Sequence, residues 1–244
     1  MFSVEDDYWW YLGLRDLLLE QMGRLAGESG RTRGFLDAGC GTGGLMAKCR
    51  RIPLYGIELS PEGTRFCRQR GLNRVAQASV CELPFSDRSL DCVVSADVLC
   101  NLSEQALAES LRELHRVLSD NGVLLLNLPA HQWLMSTHDA AVHIKQRFSL
   151  RGLRRRLEAA GFEIQRMTYR NAILFPVAAA IRLFKRATAG REDLRGSDLK
   201  PLPSLLNSLL AHILYAENRL IRTGINLPVG LSIYCIATRY PPGP

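Results

Sequence analysis

The chain contains no C-x-x-C pair, no cluster of metal-ligating residue types, and no uninterrupted apolar run of the ~20 residues needed to cross a bilayer. Its seven cysteines (40, 49, 67, 81, 92, 100 and 235) are odd in number and scattered. That spacing argues for reduced thiols and against a disulfide scaffold or a zinc site. The start, MFSVEDDYWW, is acidic and lacks the apolar stretch of a secretory signal, so a cytoplasmic location is expected. No interleaved basic and aromatic RNA module and no recognition-helix pattern is visible, so nucleic acid is not the expected partner.

What is present is enough for a full core: 244 residues with 47% hydrophobic content, expected as one domain with an elaboration. The formal net charge of +7 hides an asymmetry. Residues 1–120 carry 14 Lys and Arg against 17 Asp and Glu, whereas residues 121–244 carry 17 against 7. The basic second half is either a solvated face or a surface for an anionic partner.

The segment LDAGCGTGG (Leu36 to Gly44) carries the most specific signal. Asp37 stands two positions ahead of Gly39, Gly41 and Gly43, and glycines at such a strand-to-helix turn let the backbone approach a ligand closely. Gly39, Gly41 and Gly44 also satisfy the dinucleotide spacing G-x-G-x-x-G, so the loop alone leaves two cofactor classes open. In YGIEL, Glu58 falls 19 residues after Gly39, where a second-strand carboxylate grips a ribose diol. ASVCELPF (78–85), LDCVVSADVL (90–99) and LRELHRVLSDNGVLLLNLP (111–129) follow. In order and spacing these motifs resemble those of class I S-adenosylmethionine-dependent methyltransferases of the small-molecule "type 11" kind, over roughly residues 33–170.

Short apolar runs alternate with helical periodicity, which predicts an α/β fold: a Rossmann-like, mostly parallel sheet with helices on both faces. Strands are expected near 34–38, 54–59, 73–78, 90–96, 122–128, 162–169 and 231–239. A helix is expected near 103–118, capped by Ser103 and ending before Asn121-Gly122, and another over 149–160. The resemblance implies that the seventh and last strand runs antiparallel between its two predecessors. The organisation expected is an aromatic helical arm (1–32), a core (33–170 with 230–240) and a helical insertion (171–229).

The resemblance also assigns roles. Asp37 would hold the ammonium of S-adenosyl-L-methionine, with the backbone of Gly39, Cys40 and Gly41 passing close by and Gly43 completing the loop. Glu58 would bind the ribose hydroxyls and Leu59 would pack on the adenine. Where relatives place an Asp for the adenine amino group this chain has Ser79, followed by Val80, whose backbone could meet the ring. Ala96 and Asp97 would border cofactor and acceptor. The D-V-L-E-H of many relatives becomes Asp97-Val98-Leu99-Cys100-Asn101 here, which puts catalysis from those last two positions in doubt.

Beyond the fifth strand, His138, Asp139 and His143 are the candidate catalytic residues and Arg147 a candidate substrate contact. A histidine near neutral pKa suits a proton acceptor, and caps or loop anchors are the alternative use. Methyl transfer from a sulfonium demands alignment more than chemistry, so a base is needed only for a protonated acceptor. In DDYWWYLGLR (6–15), Tyr11 and Arg15 are candidates for the acceptor side, with the aromatic cluster either closing over the cofactor or anchoring the arm.

The expected partner is a small-molecule acceptor. The insertion interleaves Ile173, Leu174, Phe175, Val177, Ile181, Leu183 and Phe184 with Arg182, Lys185 and Arg186, and a second apolar helix follows over 205–220. This composition fits a lid over a hydrophobic or lipid-linked acceptor, a peripheral contact with an anionic membrane, or a dimer interface, and it leaves the oligomeric state open. Two competing functions stand beside the methyltransferase: a nicotinamide-dependent oxidoreductase, and a cofactor-binding module without catalysis.

Overall fold

The structure, a computed structural model, describes residues 5–28, 33–136, 139, 143–188 and 202–240. The strands are β1 (Gly34–Ala38), β2 (Leu54–Glu58), β3 (Val75–Gln77), β4 (Leu90–Ala96), β5 (Leu118–Pro129), β6 (Phe162–Arg170) and β7 (Ser232–Arg239). They form one sheet in the order β3-β2-β1-β4-β5-β7-β6, with β1 to β5 parallel and β7 antiparallel to both neighbours. The order reverses between β1 and β4. In such sheets the crevice beyond the carboxyl ends of those two strands is the ligand-binding position.

Helices α1 (Trp9–Ala26), α2 (Gly44–Lys48), α3 (Pro61–Gln69), α4 (Glu104–Val117), α5 (Leu150–Ala159), α6 (Phe175–Thr188) and α7 (Ser204–Arg222) complete the described chain. Their starts follow from local chemistry. Ser60, Ser103 and Ser149 each accept a backbone N–H three residues on, from Gly63, Ala106 and Gly152.

Side-chain alternation along the central strands builds two cores. Leu124, Leu126 and Leu128 of β5 face Leu107, Leu111 and Leu114 of α4 and Leu153 and Leu157 of α5. Val123 and Leu125 face the other way and join Cys92, Val94 and Tyr234 against Leu14, Leu17, Leu18 and Met22 of α1 and Ile221 of α7. Each such buried side chain contributes about 1.5–3 kcal/mol, so both faces of the sheet must be covered.

One strand departs from its expected start. β5 opens at Leu118, four residues before 122, because Leu118 pairs with Leu90 while the register shifts before Cys92 pairs with Val123. Asn121, in the left-handed region at φ 61°, absorbs that irregularity inside the strand instead of ending the preceding helix.

The amino-terminal arm and the insertion pack as one layer. Asn218 of α7 donates to the Gly13 carbonyl and to Asp16, Arg222 pairs with Asp16 and Glu20, and the Trp9 backbone N–H donates to Asn207 Oδ1. Glu217, fully buried on α7, accepts the backbone N–H groups of Asn171, Ala172 and Ile173 just past β6. That carboxylate ties the insertion to the end of the sheet. No helix among the described residues is long and apolar enough to cross a membrane.

Candidate cofactor and acceptor site

The glycine loop leaves β1 into the crevice at the switch point. Gly39 has φ +92°, and a Cβ there would lie 2.3 Å from Val98 Cγ2, so only glycine lets the loop pass the turn after β4. The N–H groups of Gly39 and Cys40 both donate to the Ile57 carbonyl at 2.9 Å. The loop is therefore fastened to β2 before it reaches the ligand position.

Glu58 ends β2. Its Oε2 accepts from Gly41 N–H at 2.9 Å and its Oε1 from Ser60 N–H at 2.8 Å. Each oxygen keeps a lone pair, so the carboxylate is oriented by the backbone and still able to accept from a diol. Leu59 beside it is 68% exposed, an apolar surface ready to be covered.

Asp37 is buried on β1. Burial first, then the charges of Glu5 and Glu58, pushes its carboxyl up to about 7. A cationic ligand relieves that penalty, which makes this pocket a fit for the ammonium group of an amino-acid moiety.

Glu5 had no signal in the sequence. Thr42 hydroxyl donates to its carboxylate, which lies where a Cβ on Gly44 would be. Arg70 on the turn after α3 bonds Asp6 at 2.7 Å, Glu5 at 3.4 Å and the Thr42 carbonyl at 2.9 Å. The start of the chain is thus latched across the glycine loop. Arg15, expected on the acceptor side, serves this latch instead by donating to the Glu5 and Asp6 carbonyls.

Other expected cofactor contacts have structural uses. Cys40 buries its sulfur 3.9 Å from Cys67 Sγ, leaving only its backbone to the loop. Gly43 exists for packing, since a Cβ there would meet Leu72 at 2.4 Å. Ser79 Oγ accepts from Cys81 N–H, and the Val80 side chain is buried in the core.

At the end of β4, Ala96 is half-buried and Asp97 takes φ +57°. Asp97 accepts from Asn127 Nδ2 at 3.0 Å. Burial raises its carboxyl to about 6, with Arg170, Asn127 and Arg147 pulling the other way. Tyr11 faces the same acid: burial first, then Asp97 and Glu5, holds its phenol protonated well above the usual range.

Of the expected group beyond β5, Asp139 and Arg147 are engaged with each other. Asp139 and Arg147 are both buried and bind each other at 2.5 and 3.2 Å; Asp139 also accepts from Ser136, and Arg147 donates to the Ala130 carbonyl. This is a closed ion pair holding the loop after β5, a correction to both expectations. His143 is exposed on a turn at φ +64°. His138 lies outside the described residues. A histidine that sequence reasoning passed over, His131, stacks on Tyr169 at 4.9 Å with Trp133 and Phe175 beside it, and its buried Nε2 has no partner.

Comparison with known proteins agrees with this geometry. Residues 36–126 match the family described as a methyltransferase domain. The uncharacterized methyltransferase YodH of Bacillus subtilis is 36% identical over 98 residues, covering 37% of this chain and 41% of YodH. Rv3030 of Mycobacterium tuberculosis, named a probable S-adenosylmethionine-dependent methyltransferase, is 33% identical over 100 residues, 40% of this chain and 36% of that protein. The matches thus span about two fifths of these relatives' length. The crystal structure of a SAM-dependent methyltransferase from Archaeoglobus fulgidus superposes with a TM-score of 0.56 at 17% identity, over 92% of this chain and 94% of that one. Residues 36–126 thus match the methyltransferase-domain family, and the chain shares its fold with the SAM-dependent methyltransferase from Archaeoglobus fulgidus.

Proposed function

We propose that the chain methylates a small-molecule acceptor held between the carboxyl ends of β4 and β5, the amino end of β7 and the layer formed by α1 and α7. The observation that carries this reading is the convergence of Asp37, Glu58 and three left-handed glycines on one crevice. When bound, S-adenosylmethionine supplies a methyl group on an already activated sulfonium. Asp37 would hold the ammonium, Glu58 the ribose hydroxyls, and Leu59 one face of the adenine. The arm latched by Glu5, Asp6 and Arg70 excludes water from that crevice.

Asp97 is our candidate proton acceptor. It stands where Ala96 ends β4 beside the loop, and with its carboxyl raised to about 6 it is ionised yet basic at neutral pH. Exposed Ile173, Val177 and Ile181 of the α6 region and Leu205 and Leu209 of α7 support an acceptor that is hydrophobic or lipid-linked, and a peripheral membrane contact. Flotation with anionic liposomes at low salt tests that contact, and no binding removes it.

Titration of the full chain with S-adenosylhomocysteine and with NADH tests the function itself. Stoichiometric binding of the first alone is expected. Binding of NADH alone would replace the proposal with the oxidoreductase reading, and tight S-adenosylhomocysteine binding without turnover on any acceptor would favour a non-catalytic module.

A further inference from the structure

The last residue of β6 is an arginine whose surroundings the chain itself does not satisfy. Register places it: Asn127 of β5 and Thr168 of β6 both pair with Tyr234 of β7, and Arg170 lies two residues beyond Thr168. Side chains alternate along strands, so Asn127, Tyr234 and Arg170 emerge on one face, the face covered by α1 and α7. Asn127 joins them to Asp97 through its hydrogen bond, which brings the cluster to the end of β4.

Arg170 is fully buried, and none of its three guanidinium nitrogens has a hydrogen-bond partner. Asn127 Oδ1 and Tyr234 Oη on the same face are also buried without partners. The Trp10 ring lies 6.0 Å from the guanidinium carbon, and a Cβ on Gly13 would come within 3.0 Å of Nη2, so α1 closes directly over the group. Native interiors rarely leave several polar groups orphaned side by side, least of all a cation with five donors.

The nearby acids do not fill that role. Glu217, Asp97 and Asp16 act on Arg170 through their charge, but none of them hydrogen-bonds it: Glu217 binds three backbone N–H groups, Asp16 binds Asn218 and Arg222, and Asp97 binds Asn127 through Oδ1 with its second oxygen left to accept. Three carboxylates around one guanidinium also set the charge of what else can enter. A monoanion is repelled less by them than a dianion, and a planar carboxylate matches the fork of donors that remains.

We infer that Arg170 receives a monocarboxylate group of the methyl acceptor, with Tyr234 hydroxyl as a second donor, and so determines the substrate class of the site. The inference rests on the methyltransferase reading and narrows it: the acceptor is an acid whose remainder packs on Trp10 and whose N–H or O–H meets Asn127 and Asp97.

Calorimetric titration of the full chain tests this, with hexanoate, benzoate and indole acetate as probes, their amides as neutral matches, and inorganic phosphate as the dianion, each with and without S-adenosylhomocysteine. At least one acid should bind tenfold or more tightly than its amide. Arg170→Gln should remove that preference while S-adenosylhomocysteine affinity stays within about twofold, and Tyr234→Phe should weaken it several-fold if Arg170→Gln does not fold. Equal binding of acids and amides, a preference that survives both substitutions, or phosphate binding better than every acid would overturn the inference. Absent S-adenosylhomocysteine binding would instead sink the methyltransferase reading, and the contrast between acid and amide would still be read without cofactor.

Discussion

The cofactor crevice and the acceptor layer share a sheet but are built in opposite ways. The crevice comes from two short stretches, 37–44 and 58–60, in which backbone N–H groups and glycine conformations do most of the shaping. The acceptor layer joins α1 to α7 through contacts such as Asn218 with Gly13, more than 200 residues apart, and depends on buried side chains. A site made of local backbone tolerates change elsewhere in the chain. A site made of distant polar side chains stands or falls with the packing that brings them together.

The largest expected effect separates the two regions by chemistry. Asp97→Asn should lower turnover by ~10²-fold or more with S-adenosylhomocysteine affinity nearly unchanged. In the unsubstituted protein, turnover should rise as pH passes through about 6, because Asp97 must lose its proton before it can accept another. Steady-state rates across pH 5–8 check both; a flat profile would move the base elsewhere.

Next comes the joint that holds the acceptor layer to the sheet. Glu217→Ala would leave three backbone N–H groups without their acceptor, so a loss of about 2–4 kcal/mol in urea unfolding is expected, with the Glu58→Ala variant far less affected. Equal losses would mean the two regions are not built differently after all. Glu58→Ala should instead act on affinity, weakening S-adenosylhomocysteine by ~10-fold or more through lost charge-assisted hydrogen bonds. The smallest expected effect is that of His143→Ala, near zero on turnover and on unfolding, since the residue is exposed on a turn.

The same contrast explains what could be read beforehand. The glycine loop, Glu58 and the strand order were legible because each follows from a short motif or from the family pattern those motifs resemble. Ser103 announced α4 through its cap. Arg170 was not legible: in FEIQRMTYR it is one more charged residue on a half-exposed strand, and only the closure of α1 and α7 buries it. Asp139 and Arg147 looked like chemistry because sequence displays residue types without showing which charges cancel. Asp139 and Arg147 cancel each other. Glu5 and Arg70 were missed for the same reason, as an ion pair across 65 residues leaves no periodic trace.

The carboxylate-lined glycine crevice is proposed as a cofactor site for a cationic ligand. With Asp37 raised to about 7 in the free protein, only the ionised form can hold an ammonium, so affinity must fall as pH drops through that value. Calorimetric titration with S-adenosylhomocysteine at pH 8 and pH 6 measures this directly. One site per chain is expected at pH 8, with binding weaker by up to about tenfold at pH 6. No binding at either pH, or affinity that ignores pH and survives Asp37→Asn, would contradict it.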